Sequence, residues 1–169
     1  IVGGHFYVVE STDGDFTVDN VDITIAAASA TDTGTLSPAV TDNKTLLIGS
    51  YEAANTDQDN DDGSIMNYLS DTETVTSSRA GTTGEITTTV YAVKFAGDEL
   101  VQRDQETGKG ATASEDFTLA SSVDLTLAMP FTASGTSFKN ASFPGGSADD
   151  NSDSQVSMEL TDKDTIRLQ

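Results

Sequence analysis

Cysteine and tryptophan are absent from this 169-residue chain, proline occurs three times, and there is a single histidine. The lack of cysteine rules out disulfides and thiolate metal centres, and says nothing about compartment. No apolar run reaches the roughly 18 residues that a membrane-spanning helix needs. Positive charge is scarce too: 8 Lys plus Arg stand against 28 Asp plus Glu, a formal net charge of −20. Such a field repels phosphate backbones and argues against nucleic-acid binding. It also sets the chain against itself. Salt relieves that repulsion, since the Debye length shrinks from about 8 Å at physiological ionic strength to about 3 Å at 1 M. The composition therefore fits either an ordinary acidic surface or a saline, marine or hypersaline setting.

What remains is rich in Thr, Ser, Asp, Val and Ala, with 36% hydrophobic residues. That mixture favours many short strands over long amphipathic helices. The only helix-compatible run is short, Ile25 to Ala30. The chain begins with Ile rather than Met, which suggests a processed chain or a piece of something longer.

The opening Ile1-Val2-Gly3-Gly4 resembles the mature N-terminus of trypsin-like serine proteases. The chemistry does not follow. The single histidine, His5, stands too early to act as general base, and no Gly-Asp-Ser-Gly-Gly nucleophile turn occurs. Pro144-Gly145-Gly146-Ser147 lacks both the aspartate and a histidine to serve it. No phosphate loop or dinucleotide fingerprint is present, and twenty-eight acids single out no carboxylate pair for glycoside chemistry. The expectation is a non-enzymatic protein without a resident cofactor.

The sequence resembles itself. Phe6-Tyr7-Val8-Val9-Glu10, followed by a Gly14 turn and Phe16-Thr17-Val18, parallels Val90-Tyr91-Ala92-Val93-Lys94, a Gly97 turn and the expected strand Leu100-Val101-Gln102, about 84 residues later. Thr45 to Tyr51 is matched to Asp124 to Phe131 with a register uncertain by one. The clearest pair is Ile65 to Val75 with Val156 to Ile166, where the offset is 91 and the extra residues are assigned to Phe138 to Gly146. In both copies Leu-(Ser/Thr)-Asp-Xaa-(Glu/Asp)-Thr-(Val/Ile) reads as strand, polar turn and strand. In the first copy the hairpin is expected to run through Arg79, turn at Ala80 to Gly84 and return as Glu85 to Phe95. The expected fold is all-β: two tandem β-sandwich or jelly-roll-like units from a duplication of about 84 residues, residues 1–95 and 96–169. The second copy ends at Gln169, before an equivalent returning strand, leaving an edge that invites pairing.

The repeated Leu69-Ser70-Asp71-Thr72-Glu73-Thr74-Val75 and Leu160-Thr161-Asp162-Lys163-Asp164-Thr165-Ile166, with Arg79 at the strand end and Val90 to Phe95 as a closing strand, resemble β-sandwich modules of head or tail appendages in tailed phages and related viruses. The resemblance implies a virion structural role (tail, fibre or head decoration) in many copies, with self-association, other structural subunits and a host-surface glycan or receptor as partners. It carries over no catalytic residue. The alternative is an extracellular filament or adhesin subunit of a halophilic or marine prokaryote, in which strand Phe6 to Glu10 completes a neighbour by strand addition. A carbohydrate-binding module, with Tyr51 or Tyr68 as contacts, is disfavoured by the lack of Trp.

Two kinds of candidate site remain. Asp57, Asp59, Asp61 and Asp62 alternate as in a calcium loop, yet counting from Asp57 the positions for Gly and Glu of an EF-hand hold Asp62 and Tyr68. A solvated loop and a non-EF Ca²⁺ site are the two readings. Ser147 to Asp153 is its acidic counterpart in the second copy. The sequons Asn43-Lys44-Thr45 and Asn140-Ala141-Ser142 make Asn43 and Asn140 candidate glycosylation sites.

Overall fold

The computed structural model describes residues 10–53, 65–79, 81–103, 114–130 and 158–168. Among these the fold is all-β, without an α-helix: nine strands form three antiparallel three-stranded sheets. The strands are β1 (Phe16–Ile25), β2 (Thr31–Thr35), β3 (Thr45–Ala53), β4 (Met66–Leu69), β5 (Thr74–Ser78), β6 (Ile86–Phe95), β7 (Glu115–Thr118), β8 (Met158–Asp162) and β9 (Thr165–Leu168), with a 3₁₀ turn over Asp42–Lys44. The sheet orders are β1-β6-β3, β2-β5-β4 and β7-β9-β8.

Alternation in β6 decides which face it buries. Ile86, Thr88, Val90 and Ala92 point inward and are fully buried, while their neighbours are half-buried or exposed. Strand β1 delivers Ile23 and Ile25 to the same face, with Val21 opposite Val90 and Ile25 opposite Ile86. The main core joins Ile23, Leu47, Val90 and Ala92 of the first sheet to Val75 of the second and to Leu36 and Val40, which follow β2. The first two sheets thus share one core. Each fully buried aliphatic side chain there is worth about 1.5–3 kcal/mol of transfer free energy. A smaller cluster, Ile25, Ile65 and Ile86, closes one end.

Three sequence expectations are corrected. Residues Glu85 to Phe95 do not return beside β5; the chain crosses at Arg79 to Gly84 into the other sheet, where β6 pairs with β1 and β3. Leu100 to Gln102 is not a strand: Val101 donates its N–H to the Asn43 carbonyl at 2.9 Å, fixing this segment against the 3₁₀ turn. The run from Ile25 contains no helix, since Ile25 ends β1 and Ala28 adopts φ +67°, a left-handed conformation incompatible with helix continuation.

Candidate assembly surfaces

Among the described residues the largest fully buried side chain is Arg79. Its guanidinium meets backbone carbonyls: Nε donates to Ser29 (3.0 Å), Nη1 to Thr83 (3.0 Å), and Nη2 to Ala26 (3.1 Å) and Gly84 (2.7 Å). The planar fork suits this task because it presents five N–H groups in fixed directions. It holds the β1–β2 loop against the β5–β6 crossover. Ala28 is secured there too, donating its N–H to the Thr82 carbonyl at 2.8 Å. Arginine at the end of this strand is therefore a buried clamp that ties four loop carbonyls together.

The second and third sheets carry the same hydrogen bonds. Leu36 donates to the Glu73 carbonyl at 2.7 Å and Leu119 to Asp164 at 2.8 Å; Val40 donates to Thr72 at 2.7 Å and Val123 to Lys163 at 2.6 Å. Lys44 to Thr41 (3.0 Å) is matched by Leu127 to Asp124 (2.9 Å). The turn hydroxyls agree as well, Ser70 Oγ donating to Thr74 O and Thr161 Oγ1 to Thr165 O. Leu69 pairs with Val75 as Leu160 pairs with Ile166, and the flanking strand sets Gly34 against Val75 as it sets Phe117 against Ile166. Residues 34–44 correspond to 117–127 at an offset of 83, and 69–75 to 160–166 at 91. In hydrogen bonding Asp124 stands where Thr41 does, whereas the sequence match set it beside Thr45. The usable signal was Leu36-Xaa-Xaa-Xaa-Val40 against Leu119-Xaa-Xaa-Xaa-Val123.

Between these regions, residues 96–103 are tied to both sides. Lys44 Nζ reaches the Gly97 carbonyl at 2.7 Å, and Arg103 pairs with Asp42 while donating to its carbonyl at 2.6 Å. Gln102 forms a reciprocal amide pair with Ser121, both bonds 2.9 Å. In the third sheet Arg167 grips Asp116 bidentately at 2.7 and 2.8 Å. That contact holds the Asp116 carboxyl below its ordinary range and raises Arg167. Asp71 is also lowered, chiefly by the backbone N–H of Glu73, and Asp124 by the Thr126 hydroxyl and N–H. Asp71 and Asp124 are turn-forming carboxylates, each holding the loop that follows it.

The outer face of the first sheet went unrecognised in the sequence. By register Phe16 lies beside Phe95, Val18 beside Val93 and Leu46, and Asn20 beside Tyr91 and Ile48. The two phenylalanines meet edge to face with centroids 6.3 Å apart. Val18, Ile48 and Tyr91 are exposed at 48%, 45% and 44%. The signal was available: Val90-Tyr91-Ala92-Val93 is apolar without alternation, as befits a strand covered on both faces. Leu100, Leu125, Leu127 and Met129 are further exposed apolar residues, in the segments beyond β6.

Of the sequence candidates, Asn43 is exposed within the 3₁₀ turn. Asp57, Asp59, Asp61, Asp62 and Asn140 lie outside the described residues, as does Phe6 to Val9. Among the described residues no cluster of three or more His, Cys, Asp or Glu is arranged to hold a metal ion, and no helix is long and apolar enough to cross a membrane. No family model matches the sequence, and neither a curated protein nor a solved structure matches the chain.

Proposed function

We propose that this chain is a non-enzymatic virion structural protein, a tail, fibre or head-decoration component present in many copies. In this reading it consists of two tandem β-sandwich, jelly-roll-like units derived by duplication. The observation that carries the proposal is the repeated set of hydrogen bonds around the two hairpins. Repeated modules that present apolar faces amid a carboxylate-rich surface suit assembly, because symmetric contacts bury those faces while the charge keeps free subunits dispersed. An antibody raised against the chain and used for immunogold electron microscopy should decorate the heads or tails of virus particles. Label confined to the cytoplasm would sink the proposal.

The second reading is an extracellular filament or adhesin subunit of a halophilic or marine prokaryote, joined by strand addition. Its support is the place of β6, which sits between β1 and β3 and pairs with both. The sequence Phe6 to Glu10, similar to Val90 to Lys94 of β6, is the donor strand in this reading. Immunogold label along cell-surface filaments would favour it over the virion.

A further inference from the structure

We infer that Gly97 to Arg103 is a clasp that holds the two halves of the chain in one arrangement against their mutual repulsion. Residues 1–95 carry a net charge of −12, from 15 acids and 3 bases, and residues 96–169 carry −8, from 13 acids and 5 bases. Both hydrophobic clusters draw only on residues 21–92, so β7 to β9 add nothing to them. Like charge drives the halves apart and, among the described residues, no common core draws them together. The hold that the described residues show between the halves runs through the segment after β6.

The contacts of this segment divide between the two sides. Gly97, Val101 and Arg103 bind the first half at the Asp42–Lys44 turn. Lys44 Nζ donates to the Gly97 carbonyl at 2.7 Å and Val101 N–H to the Asn43 carbonyl at 2.9 Å, while Arg103 holds the Asp42 carboxylate and carbonyl. Gln102, between them, binds the second half. Its Nε2 donates to the Ser121 carbonyl and its Oε1 accepts from the Ser121 N–H, both at 2.9 Å. A side-chain amide offers the donor and the acceptor that this backbone needs, and does so without charge. Ser121 stands between Leu119 and Val123, whose N–H groups bond the carbonyls of Asp164 and Lys163. A grip on Ser121 is therefore a grip on the turn between β8 and β9.

The two sides respond to salt differently. Salt weakens the Arg103–Asp42 ion pair, but the Gln102–Ser121 pair is neutral, and the repulsion that it opposes fades as the Debye length falls from about 8 Å to about 3 Å. The arrangement is thus kept at low and at high ionic strength. A chain without the amide opens only where repulsion is unscreened.

Because the chain has no cysteine, two introduced cysteines can carry spin labels at chosen places. Thr17→Cys on β1 and Thr118→Cys on β7 are both exposed and change no charge. Double electron–electron resonance on this labelled chain should give one narrow distance, alike near 0.15 M and in about 1 M NaCl. Gln102 is exposed, so Gln102→Ala should leave the far-ultraviolet spectrum unchanged. In that variant the distance should broaden and lengthen by about 8 Å near 0.15 M salt, the range over which the repulsion acts, and recover most of the change in 1 M NaCl. A broad distribution in the labelled parent overturns the clasp. So does a Gln102→Ala chain whose distance fails to lengthen near 0.15 M, or whose lengthening persists undiminished in 1 M NaCl. None of these outcomes touches the virion reading, which the immunogold label decides.

Discussion

The β2-β5-β4 and β7-β9-β8 sheets share strand order, the pairing of Leu69 with Val75 and of Leu160 with Ile166, and the backbone hydrogen bonds from the segment after the flanking strand, yet differ in what they bury. Val75 is fully buried and Leu36 nearly so, whereas their counterparts Ile166 and Leu119 are half-buried. Local geometry is thus set by the hairpin and its flanking strand, through turn carboxylates and Thr/Ser hydroxyls that need no distant partner. Burial is set by what packs on top. In the first region Gly34 admits β1 so closely that a Cβ there would stand 2.5 Å from Val21 Cγ2 and 2.8 Å from Ile23 Cγ1. In the third sheet that position holds Phe117, so an approach like that of β1 over Gly34 is closed. The same hairpin is used under two different covers.

The comparison breaks most severely at Arg79. Replacing it with Met removes the donors for four loop carbonyls. A buried acceptor left unpaired costs about 1–3 kcal/mol, so the loss should be on the order of 4 kcal/mol even after water enters. Hydrogen exchange should show β1, β5 and β6 deprotected while β7 to β9 keep their protection. Equal deprotection of all three sheets would mean that the regions unfold as one. Gly34→Val comes next, with a cost of about 1–3 kcal/mol from overpacking against Val21 and Ile23. Its counterpart Phe117→Val should cost less, because Phe117 is half-buried. Thermal melts of the two variants decide the order.

Smaller still is the pair Val75→Ala and Ile166→Ala. The first removes less side chain but leaves a cavity in a closed core, about 2 kcal/mol. The second removes more carbon from a half-buried site, about 1 kcal/mol. A larger loss at Ile166 would show that the third sheet is covered more tightly than its exposure indicates.

How far these differences could be read beforehand depends on range. The hairpins were legible because Leu69 to Val75 and Leu160 to Ile166 contain their own turn: Asp71 accepts from the N–H groups of Glu73 and Thr74, three residues away at most. The all-β class followed from the Thr- and Val-rich composition. The crossover at Arg79 was not legible, since a hairpin return and a switch of sheet have the same strand-turn-strand pattern; only the carbonyls of Ala26 and Ser29, some fifty residues away, distinguish them. The apolar face was half legible. Strand alternation puts Tyr91 and Val93 on one side, but that Val18, Leu46 and Ile48 join them requires the pairing of β6 with β1 and β3.

The smallest effect is expected on acidification, and its sign follows from the partners of three carboxylates. Asp71, Asp116 and Asp124 are all held below the ordinary aspartate range by the groups that they accept hydrogen bonds from. A carboxyl depressed in the folded state adds stability that is complete above its unfolded pKa, near 3.9, and that disappears as pH falls through the lower folded value. Tm should therefore be insensitive to these groups at neutral pH and should fall below about pH 4. All three are solvent-exposed, so high salt should blunt the response at Asp116, where an ion pair contributes, more than at Asp71, where neutral N–H donors do the work. Asp71→Asn and Asp116→Asn separate the two regions. Each should flatten the acid limb of the melting curve for its own sheet, and a limb that keeps its slope in both would assign the acid sensitivity to other carboxylates of the chain.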